Sequence, residues 1–162
     1  MIAALACAVA FVSGPPTDVA AAPAVGAFSV LAASSARVDG KELVARDRPL
    51  VVYLVPESQA SNRVLVALRE WWQPGWDDRV VLVFGAAIDA SRVWFEKTWG
   101  DGHRPEWFAD PDGAAWNALR LQGALGVAAI DHGRVEWKID GVIADPSVLR
   151  PPMRAWIDGG GR

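Results

Sequence analysis

The sequence predicts one α/β domain: a mixed central sheet flanked by helices on both faces. Three observations predict it. First, residues 49–55 (Pro-Leu-Val-Val-Tyr-Leu-Val) and 79–84 (Arg-Val-Val-Leu-Val-Phe) are apolar, β-branched runs of strand length. Neither alternates with polar residues, the pattern of strands buried on both faces. Second, a segment with helical apolar spacing separates them, so the two strands pair in parallel through a right-handed crossover. Third, residues 127–131 and 134–139 flank His132-Gly133, a two-residue turn that makes the last strand pair an antiparallel hairpin. The order strand–helix–strand–helix–strand–strand–helix needs helices on both sides of the sheet.

Each element has its own local reason. Phe28-Ser29-Val30-Leu31 reads as a short strand, and Val38-Asp39-Gly40-Lys41 as a turn between short strands, because Asp-Gly favours hairpin geometry. The stretch from Ser58 to Ser61 opens a helix that carries Val64, Leu65, Leu68, Trp71 and Trp72 at helical spacing, and Pro74-Gly75 ends it. Ser91 is the expected N-cap of a helix through Trp99, with Gly100 as its stop. Asp110-Pro111-Asp112-Gly113 is a turn before a short helix over 114–119. Asp145-Pro146 starts the last helix by capping and an N1 proline, Pro151-Pro152 interrupts it, and residues 153–157 close the domain.

Composition narrows the function classes. With 162 residues and 52% apolar content, the chain can bury a real core. Sixteen basic against nineteen acidic residues leave a net charge of −3, which exerts no long-range pull on nucleic acid or anionic lipid. Alanine is abundant and Arg outweighs Lys, the usage of a GC-rich bacterial genome. The one cysteine, Cys7, cannot form an internal disulfide or a thiolate metal cluster.

Residues 1–12 form an apolar run that Gly14, Pro15 and Pro16 terminate. A membrane span needs about 20 apolar residues, so the run has the length of a signal-peptide core instead. Ala20-Ala21-Ala22 offers a small-residue cleavage site. Two other readings stand beside a cleaved signal. Ala4-Leu5-Ala6-Cys7 loosely matches a lipobox, which makes the chain a lipoprotein with Cys7 as the lipidation candidate or leaves the run as an uncleaved anchor; otherwise the run is a buried N-terminal helix. The expected organisation is a signal peptide or anchor over 1–22, a lead-in segment over 23–36, the folded domain over 37–158 and a flexible tail over 159–162.

This order of elements resembles the thioredoxin fold, and more narrowly the exported TlpA and ResA type of thiol–disulfide proteins. Three stretches carry the resemblance: Arg37-Val38-Asp39-Gly40-Lys41 before Pro49-Leu50-Val51-Val52-Tyr53, Asp110-Pro111-Asp112-Gly113 before Leu121, and residues 127–135 with Gly141 beyond. It spans residues 28 to 157. The chain departs from that family where the chemistry lies. Ser58-Gln59-Ala60-Ser61 stands where the family has Cys-x-x-Cys, and Gly123-Ala124-Leu125 where it has Gly-x-cis-Pro. Serine forms no disulfide, and a cis bond before Leu125 would cost about 2.5–4 kcal/mol, so the resemblance implies a degenerate member without redox activity and with a trans bond at Leu125.

Other constellations are weaker than their structural alternatives. Ser58, His103 or His132 and an Asp make a triad only on paper, since no nucleophile elbow surrounds the serine. Ser58 could bind a thiol, but the all-helical second domain of fold relatives that do so is missing. Asp101, Asp110 and Asp112 lack the ligand ladder of a calcium loop, and the two histidines lack a metal spacing. Ser58 and Ser61 serve equally as helix caps. The nine tryptophans are the remaining signal. At helical spacing such residues are mostly core, with Trp71 and Trp72 under the sheet and Trp76 over the helix end; but a domain this small buries nine with difficulty, so Trp72 and Trp76 in the Trp72–Trp76 loop are the expected docking surface, with Trp76 the one expected to be exposed. The expectation is therefore a non-catalytic protein of the periplasm or another extracytoplasmic compartment. It would act through a protein partner, as an accessory or structural subunit of a membrane-bound complex, with no cofactor, no metal and no nucleic acid. The alternatives are an envelope thiol-binding or redox enzyme, or a soluble small-ligand-binding protein.

Overall fold

A computed structural model describes residues 22–159, so Cys7, nearly all of the expected leader and the end of the tail lie outside the described residues. One sheet of seven strands runs through the molecule in the order β2-β1-β5-β4-β3-β6-β7. β3 (Leu50–Leu54) and β4 (Val80–Phe84) are central, parallel and buried at every position, as their unbroken apolar runs require. β6 (Leu125–Asp131) lies antiparallel to β3 and hairpins into β7 (Arg134–Asp140). The turn holds His132 at φ 48° and Gly133 at φ 72°, both left-handed as a tight two-residue hairpin needs. On the other side, β5 (Trp107–Ala109) runs parallel to β4 and meets β1 (Ser29–Ala32), which pairs with β2 (Arg37–Asp39). At three residues, β5 is too short for a periodic signal, so the sequence reading missed it.

Alternate residues of each central strand point to opposite layers. Leu50, Val52 and Leu54 pack with α2 (Gln59–Trp71), α3 (Ile88–Trp99) and α5 (Arg150–Ile157). Val51 and Tyr53 pack with α1 (Gly40–Val44) and α4 (Ala114–Ala118) on the other face. The mixed sheet with helices on both faces is thus observed.

Three local expectations need correction. Asp39-Gly40 is not a hairpin turn. Asp39 caps α1, accepting from Lys41 N–H at 2.9 Å, and the β1–β2 turn lies at 33–36 instead. Gly40 is there for packing: a Cβ on it would come within 2.5 Å of the Phe28 ring. Ser91 does not cap α3, which starts at Ile88; it is fully buried in the first turns and donates to Ala86 C=O at 3.4 Å. The N-cap position is Ala87, which makes no side-chain cap and so gave no start signal. Pro151-Pro152 begins α5 rather than interrupting a helix, since a first turn needs no proline N–H. Before it, Asp145 caps a 3-10 turn over Pro146–Leu149, accepting from Ser147 N–H at 2.9 Å.

The lead-in segment belongs to the sheet. Val25 N–H donates to Gly133 C=O, and Val135 N–H donates to Pro23 C=O, both at 2.9 Å. This bridges Ala24 to Arg134 on the outer side of β7.

Candidate functional site

The C-terminal ends of β3 and β4 and the start of β6 converge at one end of the sheet, where the sequence placed Ser58, Ser61 and Leu125. The structure brings these three together. Ser58 has extended dihedrals (φ −65°, ψ 128°) and is the N-cap of α2, its Oγ 3.5 Å from Ser61 N–H. Ser61 is fully buried. Its Oγ accepts from Val55 N–H at 3.1 Å and donates to Ala124 C=O at 3.2 Å. One hydroxyl thereby ties the end of β3, the first turn of α2 and the segment before β6. Leu125 opens β6 opposite Leu54 and is buried; no peptide bond among the described residues is cis, including that before Leu125.

A helix N-terminus stabilises an anion, but it cannot bring a serine hydroxyl near ionisation at neutral pH. Neither histidine is placed to activate one. His132 lies in the β6–β7 turn, at the opposite end of β6 from Leu125, beside Asp131 at 2.8 Å. His103 follows the far end of α3 and sits 2.7 Å from Asp77 Oδ1. The triad of Ser58 with either histidine is therefore not assembled. Among the described residues no three His, Cys, Asp or Glu side chains gather as a metal site, and no helix is long and apolar enough to cross a membrane.

Ser61→Ala tests the bridging hydroxyl. It leaves Val55 N–H bonded to Ala124 C=O at 3.0 Å but removes both side-chain bonds. The expected loss is about 1–2 kcal/mol in chemical denaturation; an unchanged midpoint would show that the bridge is dispensable.

The aromatic loop differs from expectation. Trp76, expected exposed, is buried at 2% relative accessibility. Pro74–Trp76 is a 3-10 turn that folds the indole inward, closed by Trp76 N–H donating to Gln73 C=O and Arg79 N–H donating to Trp76 C=O. Trp72 is half-buried, edge-on to Trp76 at 5.8 Å and to Trp99 at 5.3 Å. Its indole N–H donates to Asp77 at 3.1 Å. Trp72, Trp99, Arg69, Pro74, Asp77 and His103 line an open groove of about 670 Å³. All nine tryptophans are at least half-buried: Trp76, Trp94, Trp99, Trp107 and Trp156 are buried, and Trp71, Trp72, Trp116 and Trp137 half-buried. Two core layers with shared aromatic contacts, such as Phe84 against Trp94 and Trp107, accommodate the load.

Asp110 is a residue whose role the sequence reading missed. It is 2% exposed at the end of β5, and its carboxylate accepts from Ala114, Ala115 and Trp116 N–H at 2.8–3.2 Å. It also accepts from the Tyr53 hydroxyl at 3.2 Å. Burial, and then the neighbouring Asp110 charge, push the Tyr53 phenol well above its ordinary value near 10. The Asp-Pro-Asp-Gly turn is thus also an anchor for α4. The spacing from Asp110 to the helix start at Ala114 was the available signal.

No protein-family profile matches this chain, and no curated protein matches it. Solved structures do, through their fold. MTB dsbF superposes with a TM-score of 0.61 at 17% identity, covering 85% of this chain and 98% of that one. A secreted Mycobacterium tuberculosis disulfide oxidoreductase, homologous to E. coli DsbE, gives 0.63 at 14% identity, over 82% and 95%. A thioredoxin-like protein from Porphyromonas gingivalis gives 0.62 at 18% identity, over 85% and 94%. The fold is thioredoxin-like.

Proposed function

We propose that this thioredoxin-like chain is a non-catalytic module of the bacterial cell envelope, acting through protein contacts as an accessory or structural subunit of a membrane-bound complex. The observation that supports this most directly is Ser61. At the inner position of the motif, a buried hydroxyl is fully engaged between Val55 N–H and Ala124 C=O, a structural bond in place of a reactive group. The only cysteine in the sequence, Cys7, precedes the domain, so no dithiol is available to cycle. The apolar run over 1–12 supports export, and the half-buried Trp72 with its groove is the contact surface we favour. Trp76 has no place on it.

The test has two arms. Insulin reduction by dithiothreitol should proceed at the same rate with and without catalytic amounts of the protein; a protein-dependent acceleration would overturn the non-catalytic reading. The tagged chain, recovered from mildly solubilised membranes of its host, should bring one stoichiometric partner, and Trp72→Ala should release it. Recovery of the chain alone, with or without prior cross-linking, would overturn the role as a subunit.

A further inference from the structure

We infer that the Trp72 groove binds the guanidinium of an arginine carried by a basic segment of the partner protein, an inference that rests on the reading of this groove as the contact surface. The groove combines an indole with an excess of negative charge. Trp72 is the C-cap of α2 and Gly100 that of α3, so the negative ends of both helices abut it. Asp77 and Asp101 add two carboxylates to its lining, against Arg69 and His103. Arg69 is engaged within the fold: its Nη1 donates to Thr98 C=O at 3.5 Å and to Trp99 C=O at 3.2 Å, at the end of α3. His103 meets Asp77 at Oδ1, 2.7 Å away, the same oxygen that accepts from the Trp72 indole N–H. Asp77 Oδ2 and the exposed Asp101 carboxylate have no hydrogen-bond partner among the described residues.

Two other tryptophans of this fold already hold such a cation. The Arg48 guanidinium lies 4.1 Å from the Trp156 ring and that of Arg150 5.8 Å from the Trp71 ring. Among the described residues no arginine or lysine stacks on Trp72, although it borders two carboxylates. A flat guanidinium suits such a site better than a lysine ammonium, because its face lies on an indole while two N–H groups meet one carboxylate. Arginine is also the charged residue most often found as a binding anchor at interfaces. At about 670 Å³, the open groove admits one side chain with its flanking backbone. The described lead-in does not cover it, since Ala24 lies beside β7, three strands from β4, into which the groove loop runs.

Titration of the full, isotopically labelled chain with a capped peptide, Gly-Ser-Arg-Ser-Gly, tests this. The readout is the indole N–H resonances of Trp72 and Trp99, which donate to Asp77 and to His103 C=O. Both should shift and saturate in the millimolar range, as one exposed ion pair and one cation–π contact allow. Peptides with glutamate or norleucine in place of arginine should bind about tenfold more weakly or not at all. Asp77→Asn, which keeps an oxygen for the Trp72 N–H, and Asp101→Asn should each weaken binding about threefold, and together about tenfold. Thermal melts check that the variants are folded; should Asp77→Asn fail to fold, the exposed Asp101→Asn still decides. Glutamate peptide bound as tightly as the arginine peptide, a double variant that binds like the wild type, or choline bound more tightly than the peptide would each overturn the inference. So would shifts that grow with protein concentration alone, which seat a second copy in the groove, or a gain of about tenfold in peptide affinity on removing residues 160–162, which seats Arg162 there. A host partner released by Trp72→Ala but retained by the double variant would overturn the arginine and keep the subunit reading. Recovery of the chain alone would overturn the subunit reading, while the titration still decides the chemistry of the groove.

Discussion

Trp76→Ala is expected to lose about 3–5 kcal/mol of stability, the range for removing a large aromatic from a core. The indole is buried among the residues of the α2–α3–α5 layer and meets Trp72 edge-on at 5.8 Å, and Trp72 in turn meets Trp99 at 5.3 Å. Removing it opens a cavity and strips one face of Trp72, while the Pro74–Trp76 turn loses the side chain that holds it down. Thermal denaturation should show a fall of about 10 °C or more. The summed tryptophan emission, to which Trp72 contributes, should shift to the red as solvent reaches the Trp72 ring. A variant that melts within a degree or two of the wild type would mean that the turn opens in solution and Trp76 is exposed after all.

The second large effect is expected at Asp110. Asp110→Ala removes the acceptor for three N–H groups at the start of α4 and leaves the Tyr53 hydroxyl buried without it. Loss of a helix cap costs about 0.5–2 kcal/mol, and an orphaned buried hydroxyl about 1–3 kcal/mol more. Tyr53→Phe separates the two contributions. In that background the substitution of Asp110 should cost only the capping share, and a double-mutant cycle in chemical denaturation reads the coupling directly. The same pair sets a dependence on alkaline pH. The folded-state phenol ionises at higher pH than an unfolded tyrosine, so its contribution is complete below about pH 10 and falls as pH rises beyond it. Tyr53→Phe should remove that part of the decline. Purely additive single and double variants would deny that Tyr53 and Asp110 act together.

The sequence by itself determined the sheet's centre and the two serines that open α2. The runs at 50–54 and 80–84 could only be strands buried on both faces, because nothing in them tolerates water, and His132-Gly133 could only reverse the chain tightly. Ser58 and Ser61 were legible at the start of α2 because a helix cap is a local arrangement of a few residues. Tertiary structure decided the rest, for reasons of range. β5 exists because β4 and β1 flank three residues that have no periodicity of their own. Asp39-Gly40 became a cap once Phe28 occupied the space over the glycine, a contact twelve residues away in sequence. The aromatic loop turned inward because α2, α3 and β4 left an apolar hollow beneath it, and no pattern along Gln73-Pro74-Gly75-Trp76 records the shape of that hollow. Asp110 drew its meaning from Tyr53, fifty-seven residues earlier, once both reached the end of the sheet. Local hydrogen bonding and period are written in neighbouring residues; burial is a property of surfaces that meet only after the chain has folded.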